Sequence, residues 1–177
     1  MAAYFYNSQI TLERSVVSAT LPDAAHGLPG TGVQLIQDQD MPTGLTIESC
    51  LIARNRGVGV LLEGAWGKIR RSAINETGKE EAHGEFGDGI VVGAQRGKLD
   101  LADSLVYGSA RAGLLFVAAT GSVHGSTFKN GVFAIDLEEG ATPEIGDDNV
   151  YLENVENKVT FGRNLAASKA PAGLGGD

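Results

Sequence analysis

Acids, histidines and arginines that could hold or transform a ligand gather in two stretches of this chain and in a short segment between them. Residues 19–31 carry Asp23 and His26, and residues 77–88 carry Glu80, Glu81, His83, Glu85 and Asp88. Arg54 and Arg56 lie between the two stretches, and Arg111 follows the second. Arginines beside carboxylates suit bidentate, charge-assisted hydrogen bonds to an acidic group. The same carboxylates, if they converge, suit Ca²⁺, a hard cation that takes oxygen ligands; apart from that ion, no cofactor is expected. The candidate ligand-binding set is therefore His26, Arg54, Arg56, Glu80, His83, Asp88 and Arg111, with no catalytic residue assigned. The plainer reading is that these are polar residues of ordinary surface loops.

What must position them is a repeated phrase: an aliphatic residue, two variable positions, a small residue, one variable position, then an apolar one. It reads Leu12-Glu13-Arg14-Ser15-Val16-Val17, Ile47-Glu48-Ser49-Cys50-Leu51-Ile52 and Ile69-Arg70-Arg71-Ser72-Ala73-Ile74. It continues as Leu101-Ala102-Asp103-Ser104-Leu105-Val106 and Val123-His124-Gly125-Ser126-Thr127-Phe128, with a degenerate copy at Ile145-Gly146-Asp147-Asp148-Asn149-Val150. From 15 to 50 is 35, from 50 to 72 is 22, from 72 to 104 is 32, and from 104 to 126 and 126 to 148 are each 22. The unit is thus 22 residues, and two copies carry insertions. So short a unit, rich in Val, Ile, Leu and Gly, fits one coil of short strands rather than a helix pair. A glycine-led apolar run follows each phrase: Gly32-Val33, Gly59-Val60, Gly89-Ile90 and Gly113-Leu114, with Ala134-Ile135-Asp136-Leu137 in that place less cleanly.

This pattern resembles the right-handed parallel β-helix proteins of the pectate-lyase-like superfamily over roughly residues 9–165. The resemblance implies an all-β, single-stranded right-handed parallel β-helix of about five to six coils. It is specific for fold rather than for activity, because that superfamily hosts lyases, hydrolases, epimerases, phage tailspikes and non-catalytic surface proteins. His124-Gly125 and Asp147-Asp148 are similar to two signatures of its polygalacturonase-like branch. Their order along the chain is reversed, however, and Val123 stands where that branch has Gly, so the transfer is rejected.

From rung residue to next glycine is 9 for Cys50 to Gly59 and for Ser104 to Gly113, but 17 for Ser15 to Gly32 and for Ser72 to Gly89. Both long coils gain eight residues at the same point. The two loops should therefore leave one face, their bases two strand spacings or roughly 10 Å apart. In the enzymes of the superfamily, loops in that place wall the substrate cleft, which implies a site there. Gly87-Asp88-Gly89 opens the expected cleft strand, although an Asp between glycines is more often a turn residue.

The net charge of −8, without a basic run, argues against nucleic acid and anionic membrane surfaces as partners. The longest apolar runs are a few residues, too short to span a bilayer. The single cysteine, Cys50, sits on the serine rung, where a buried small side chain is the simplest reading. Three histidines without ligand spacing make structural zinc a poor expectation. Residues 1–165 are expected to form one β-helix domain entered at Ile10, with Tyr4-Phe5-Tyr6 ahead of it and residues 166–177 as a flexible tail.

Function is expected to be that of a non-catalytic β-helix module of a secreted or surface protein, presenting the loop-walled face to a glycan or protein. One alternative is a carbohydrate-active enzyme, a lyase or hydrolase of acidic polysaccharide. The other is a structural segment of a longer or trimeric solenoid, stacking on another domain or subunit at its N-terminal end.

Overall fold

The computed structural model describes residues 2–22, 30–38, 41–79 and 86–161. Their strands come in threes. The first set is β1 (Ala3–Tyr6), β2 (Gln9–Glu13) and β3 (Val16–Ser18); the second is β4 (Val33–Ile36), β5 (Gly44–Glu48) and β6 (Leu51–Ala53). Then come β7 (Val58–Glu63), β8 (Trp66–Arg70) and β9 (Ala73–Asn75), followed by β10 (Asp88–Gly93), β11 (Lys98–Ala102) and β12 (Leu105–Tyr107). The last sets are β13 (Ala112–Val117), β14 (Thr120–His124), β15 (Thr127–Lys129), β16 (Phe133–Glu138), β17 (Glu144–Ile145) and β18 (Val150–Leu152), and β19 (Glu156–Thr160) closes the series. Each strand pairs in parallel with its counterpart in the next set. The result is three sheets: A (β1-β4-β7-β10-β13-β16-β19), B (β2-β5-β8-β11-β14-β17) and C (β3-β6-β9-β12-β15-β18). This is a parallel β-solenoid.

The repeated aliphatics build its interior. Ile47, Ile69, Leu101 and Val123 are aligned in register and 0 to 1 % exposed. On sheet A, Leu35, Leu62, Phe116 and Leu137 form an equivalent inward row with Val92. On sheet C, Phe128 stacks on Tyr151 with ring centroids 5.8 Å apart.

The small residue earns its place by hydrogen bonding. Ser72, Ser104 and Ser126 each donate their hydroxyl to the carbonyl two residues earlier, at 2.7–3.0 Å. Each hydroxyl oxygen also accepts the backbone N–H of the rung below: Cys50 to Ser72, Ser72 to Ser104 and Ser104 to Ser126, at 3.0–3.2 Å. A short donor-acceptor side chain is needed to do both. Cys50 keeps the donor role weakly, with its Sγ 3.3 Å from the Glu48 carbonyl and 3.4 Å from that of Leu12. At the far end the rung is Asn149, not Asp148, because Phe128 pairs with Tyr151 and the last copy holds one extra residue. Asn149 Oδ1 accepts the Ser126 N–H at 3.0 Å, and its amide donates to the Val123 and Gly146 carbonyls.

Corners are turned by single residues in the left-handed region. Arg14, Ser49, Arg71, Asp103 and Gly125, with φ between 47° and 56°, form one column between sheets B and C. Arg54, Glu76, Gly108, Asn130 and Glu153 form another where the chain leaves sheet C. The glycine that leads each sheet A strand answers a different need, close approach. A Cβ on Gly59 would strike the Gly89 carbonyl oxygen and come within 2.9 Å of Ile74 Cγ2.

The N-terminal expectation needs correction. The chain does not first enter the solenoid at Ile10: Ala3–Tyr6 is itself a strand, paired residue for residue with Val33–Ile36. The inward residues of the first strands, Phe5, Ile10, Leu12 and Val17, are only partly buried. At the opposite end the inward positions of β19 are polar, with Lys158 beside Ile135 and Thr160 beside Leu137.

Candidate functional site

The inner strands of sheet A, β4, β7, β10, β13 and β16, are buried on both faces, which is why they read as near-continuous apolar runs. The sheet's inner face joins the main core. Its outer face carries a second cluster, Val58, Leu61, Val91, Ala112 and Leu115, with Phe86, Val117 and Phe133 packed against it. The register puts Leu61, Val91, Leu115 and Asp136 in one row. An acid therefore interrupts a line of aliphatics that resumes at Val159.

Asp136 does not stand alone. Asp88 opens β10, and Arg111 immediately precedes β13, the next strand of the sheet. Arg111 Nε donates to Asp88 Oδ1 at 2.9 Å and its Nη2 to Oδ2 at 2.7 Å, while the Ala112 N–H donates to Oδ1 at 3.1 Å. The remaining guanidinium nitrogen, Nη1, points toward the next strand, 3.9 Å from Asp136 Oδ2 and 3.7 Å from Glu138 Oε1. The side chains of Asp88 and Asp136 are 0 and 1 % exposed. Neither Asp136 oxygen has a hydrogen-bond partner among the described residues.

One guanidinium thus faces three carboxyls, and it satisfies only the first. Burial pushes the Asp88 carboxyl up, while the charge and hydrogen bonds of Arg111 and the Ala112 N–H pull it back. Burial works against the charge on Arg111, but Asp88, Glu138 and Asp136 hold its pKa above the ordinary value. Asp136 is pushed up to about 7, first by burial and then by the charge of Glu138, with Arg111 opposing. Glu138 is raised too, by burial first, with Arg111 opposing and the charges of Asp88 and Glu139 adding to the rise. A carboxyl that titrates near neutrality beside a second carboxylate can take up and release a proton under physiological conditions.

The loop bases share one corner. The Arg56 N–H donates to the Thr20 carbonyl at 3.0 Å, and Arg56 forms backbone bridges to Gly30 on one side and Gly78 on the other. The Gly87 N–H returns to the Gly57 carbonyl at 2.7 Å. Both long connections therefore leave and rejoin around residues 55–57, at the corner between sheets C and A. Arg54 and Arg56 are exposed there, while Asn55 is buried and accepts the Thr20 N–H at 3.2 Å. His26, Glu80 and His83, with Asp23, Glu81 and Glu85, lie outside the described residues.

Asp88 and Arg111 come together as a buried ion pair. Asp88 is a strand residue, not the turn residue its flanking glycines suggested. Asp136 and Glu138 were missed as site residues. Their only sequence signal was the irregularity of the fifth glycine-led run, where Asp136 interrupts the aliphatics. His124 and Asp148 do approach each other, Nδ1 to Oδ1 at 3.5 Å, but His124 is half-buried, Asp148 is exposed and neither lies on sheet A. Among the described residues no group of three or more His, Cys, Asp or Glu side chains is arranged to hold a metal ion.

No family model matches this sequence, and neither a curated protein nor a solved structure matches it.

Proposed function

We propose that the chain is a non-catalytic binding module. In this reading it is a right-handed parallel β-helix of the pectate-lyase-like kind that works outside the cell and presents the corner between sheets C and A to a glycan or protein surface. Parallel strands joined by crossovers are right-handed in nearly all known cases, which supports the hand. The observation that carries the binding role is the position of Arg56, bridged by its backbone to the bases of both long connections. An exposed arginine, with Arg54 two residues away, is thereby fixed where two insertions meet. Arg111 is engaged by Asp88 and serves the fold instead.

The test is the double variant Arg54→Ala/Arg56→Ala, titrated with acidic oligosaccharides at two salt concentrations. Affinity should fall by at least about tenfold and the salt dependence should shrink, because charge-assisted contacts are screened by salt. Circular dichroism should stay that of the parent. Unchanged binding removes the corner from consideration.

A second reading, hydrolysis or lysis of an acidic polysaccharide, is favoured by the Asp136–Glu138 pair. Two carboxyls of raised pKa have the composition that acid-base cleavage of a sugar linkage uses. Glu138, 14 % exposed, is the one open to a substrate, and Asp136 is buried behind it. Release of reducing or unsaturated sugar ends from a polyuronate, abolished by Asp136→Asn, would support it.

A further inference from the structure

Trp66 is the only tryptophan of the chain, and it lies on the outside of the solenoid, on sheet B. Gly44 sits directly beneath it in the parallel register, on the neighbouring strand. A Cβ built on Gly44 would meet Trp66 Cε2, Cζ2 and Nε1 at nearly the same short range. Three adjacent ring atoms at similar range mean that the face of the indole, rather than its edge, rests on the sheet. Glycine makes the bed for the ring by removing the side chain that would lift it. The residue is nevertheless 41 % exposed. With one face down on Gly44, that exposure belongs to the opposite face and the rim.

The surroundings of the ring are polar and regularly spaced. Gln9 is the neighbour of Gly44 on the far side and Lys98 that of Trp66 on the other, and Thr11, Thr46, Lys68 and Asp100 form the adjacent outer row. Rungs are ~4.8 Å apart and alternate residues of one strand ~6.8 Å apart, so these groups ring the indole at about the width of one sugar. The indole N–H makes no hydrogen bond to a described residue and is a further donor at the same edge. An apolar ring face bordered by hydroxyl, amide and ammonium groups matches a pyranose, which has an apolar C–H face and a rim of hydroxyls. Burying an aromatic face in this way excludes water from the flat side, while the rim groups set orientation.

We propose that Trp66 is the platform of a sugar-binding subsite on sheet B. It stacks a pyranose ring of a neutral glycan, with Gln9, Thr46 and Lys68 bonding to its hydroxyls. The overall charge of −8 disfavours a dense polyanion, and of the two lysines at this face Lys98 lies 4.0 Å from Asp100, which leaves Lys68 to bond neutral hydroxyls. The proposal rests on the glycan form of the recognition reading but not on the corner that carries it.

Because the chain has one tryptophan, its fluorescence reports this site alone. The intact chain is titrated with cellotetraose, mannotetraose and tetragalacturonate while emission and binding heat are followed. Binding of a neutral tetrasaccharide with a saturable shift in emission is the expected result. Trp66→Ala should weaken it by about tenfold, the scale of one aromatic stacking contact, and Trp66→Tyr should retain most of it. Matching circular dichroism and melting of both variants separates lost stacking from lost fold. Heat without an emission change, and unaltered by Trp66→Ala, overturns the platform but leaves the corner as the glycan site. Binding of tetragalacturonate alone overturns it too, and silence of all three sugars overturns the platform together with the glycan form of the recognition reading.

Discussion

Asp136 stands directly across from Leu115 in the register of β16 and β13, an acid set between Leu115 and Val159 in the row that holds Leu61 and Val91. A carboxyl there costs solvation that Arg111 only partly returns, since Asp88 already holds two of the three guanidinium nitrogens.

Stability should accordingly fall as pH rises. The Asp136 pKa is raised from 3.8 to about 7 in the fold, so the folded chain holds this proton more tightly than the unfolded one. The stabilisation is complete below 3.8, is lost progressively up to about 7, and then levels off. Asp88 and Glu138, both raised, tilt the curve in the same direction, while Arg111 stays charged throughout. Asp136→Asn should flatten the slope and raise stability above neutrality by about 1–3 kcal/mol. Urea melts of parent and variant across that range check this, and a flat parental profile contradicts it.

The Asp88–Arg111 pair should show strong non-additivity. Arg111→Ala leaves the buried Asp88 without its counter-charge and should cost about 3–5 kcal/mol, whereas Asp88→Ala leaves Arg111 facing Asp136 and Glu138 and should cost less. Asp88→Leu with Arg111→Met should cost clearly less than the two single changes summed. A double-mutant cycle in urea measures the coupling.

On the rung, Ser104→Ala strands the Ser72 N–H and removes one of the two donors to the Ala102 carbonyl, leaving it the Arg71 N–H. The expected loss is about 1–3 kcal/mol. Cys50→Ser restores the stronger donor and should be neutral or stabilising. Before that change, the thiol should react with a thiol reagent only at the rate of unfolding, since Cys50 is 5 % exposed.

At the coil of β1, β2 and β3, Phe5, Ile10, Leu12 and Val17 offer partly exposed apolar surface, and these strands have no outer partner among the described residues. Such an edge is a template for another chain. Sedimentation should show mass rising with concentration, and Leu12→Glu should return the chain to monomer. A parent that is monomeric at every concentration rules the contact out.

The rung and its aliphatic neighbours were legible because each position has a narrow job. Only a short hydroxyl or its nearest substitute can donate to its own strand and accept from the coil below, and only an aliphatic fits inside. The leading glycines were legible too, though their cause, the approach of Gly59 to Gly89 and Ile74, needed coordinates. The first strand, Ala3–Tyr6, escaped because no copy of the repeated phrase precedes it. Asn149 escaped because one inserted residue shifts the last copy out of step. Asp88 and Arg111 are 23 apart, and each looked like an ordinary loop residue until the sheet register set them side by side. Asp136 was visible as an irregularity, but its chemistry comes from burial, which a string of letters does not display.

Every rung of the serine ladder is bonded only to the rungs beside it, and this has a mechanical consequence. Tension applied along the long axis loads these bonds and the sheet bonds one coil at a time, in the manner of a zipper. Extension of a single molecule should therefore be stepped. A 22-residue coil, such as Cys50 to Ser72, should release roughly 70 Å, and the 32-residue coil from Ser72 to Ser104 roughly 100 Å. The order of long and short steps would then read out the positions of the two insertions from the end that opens first.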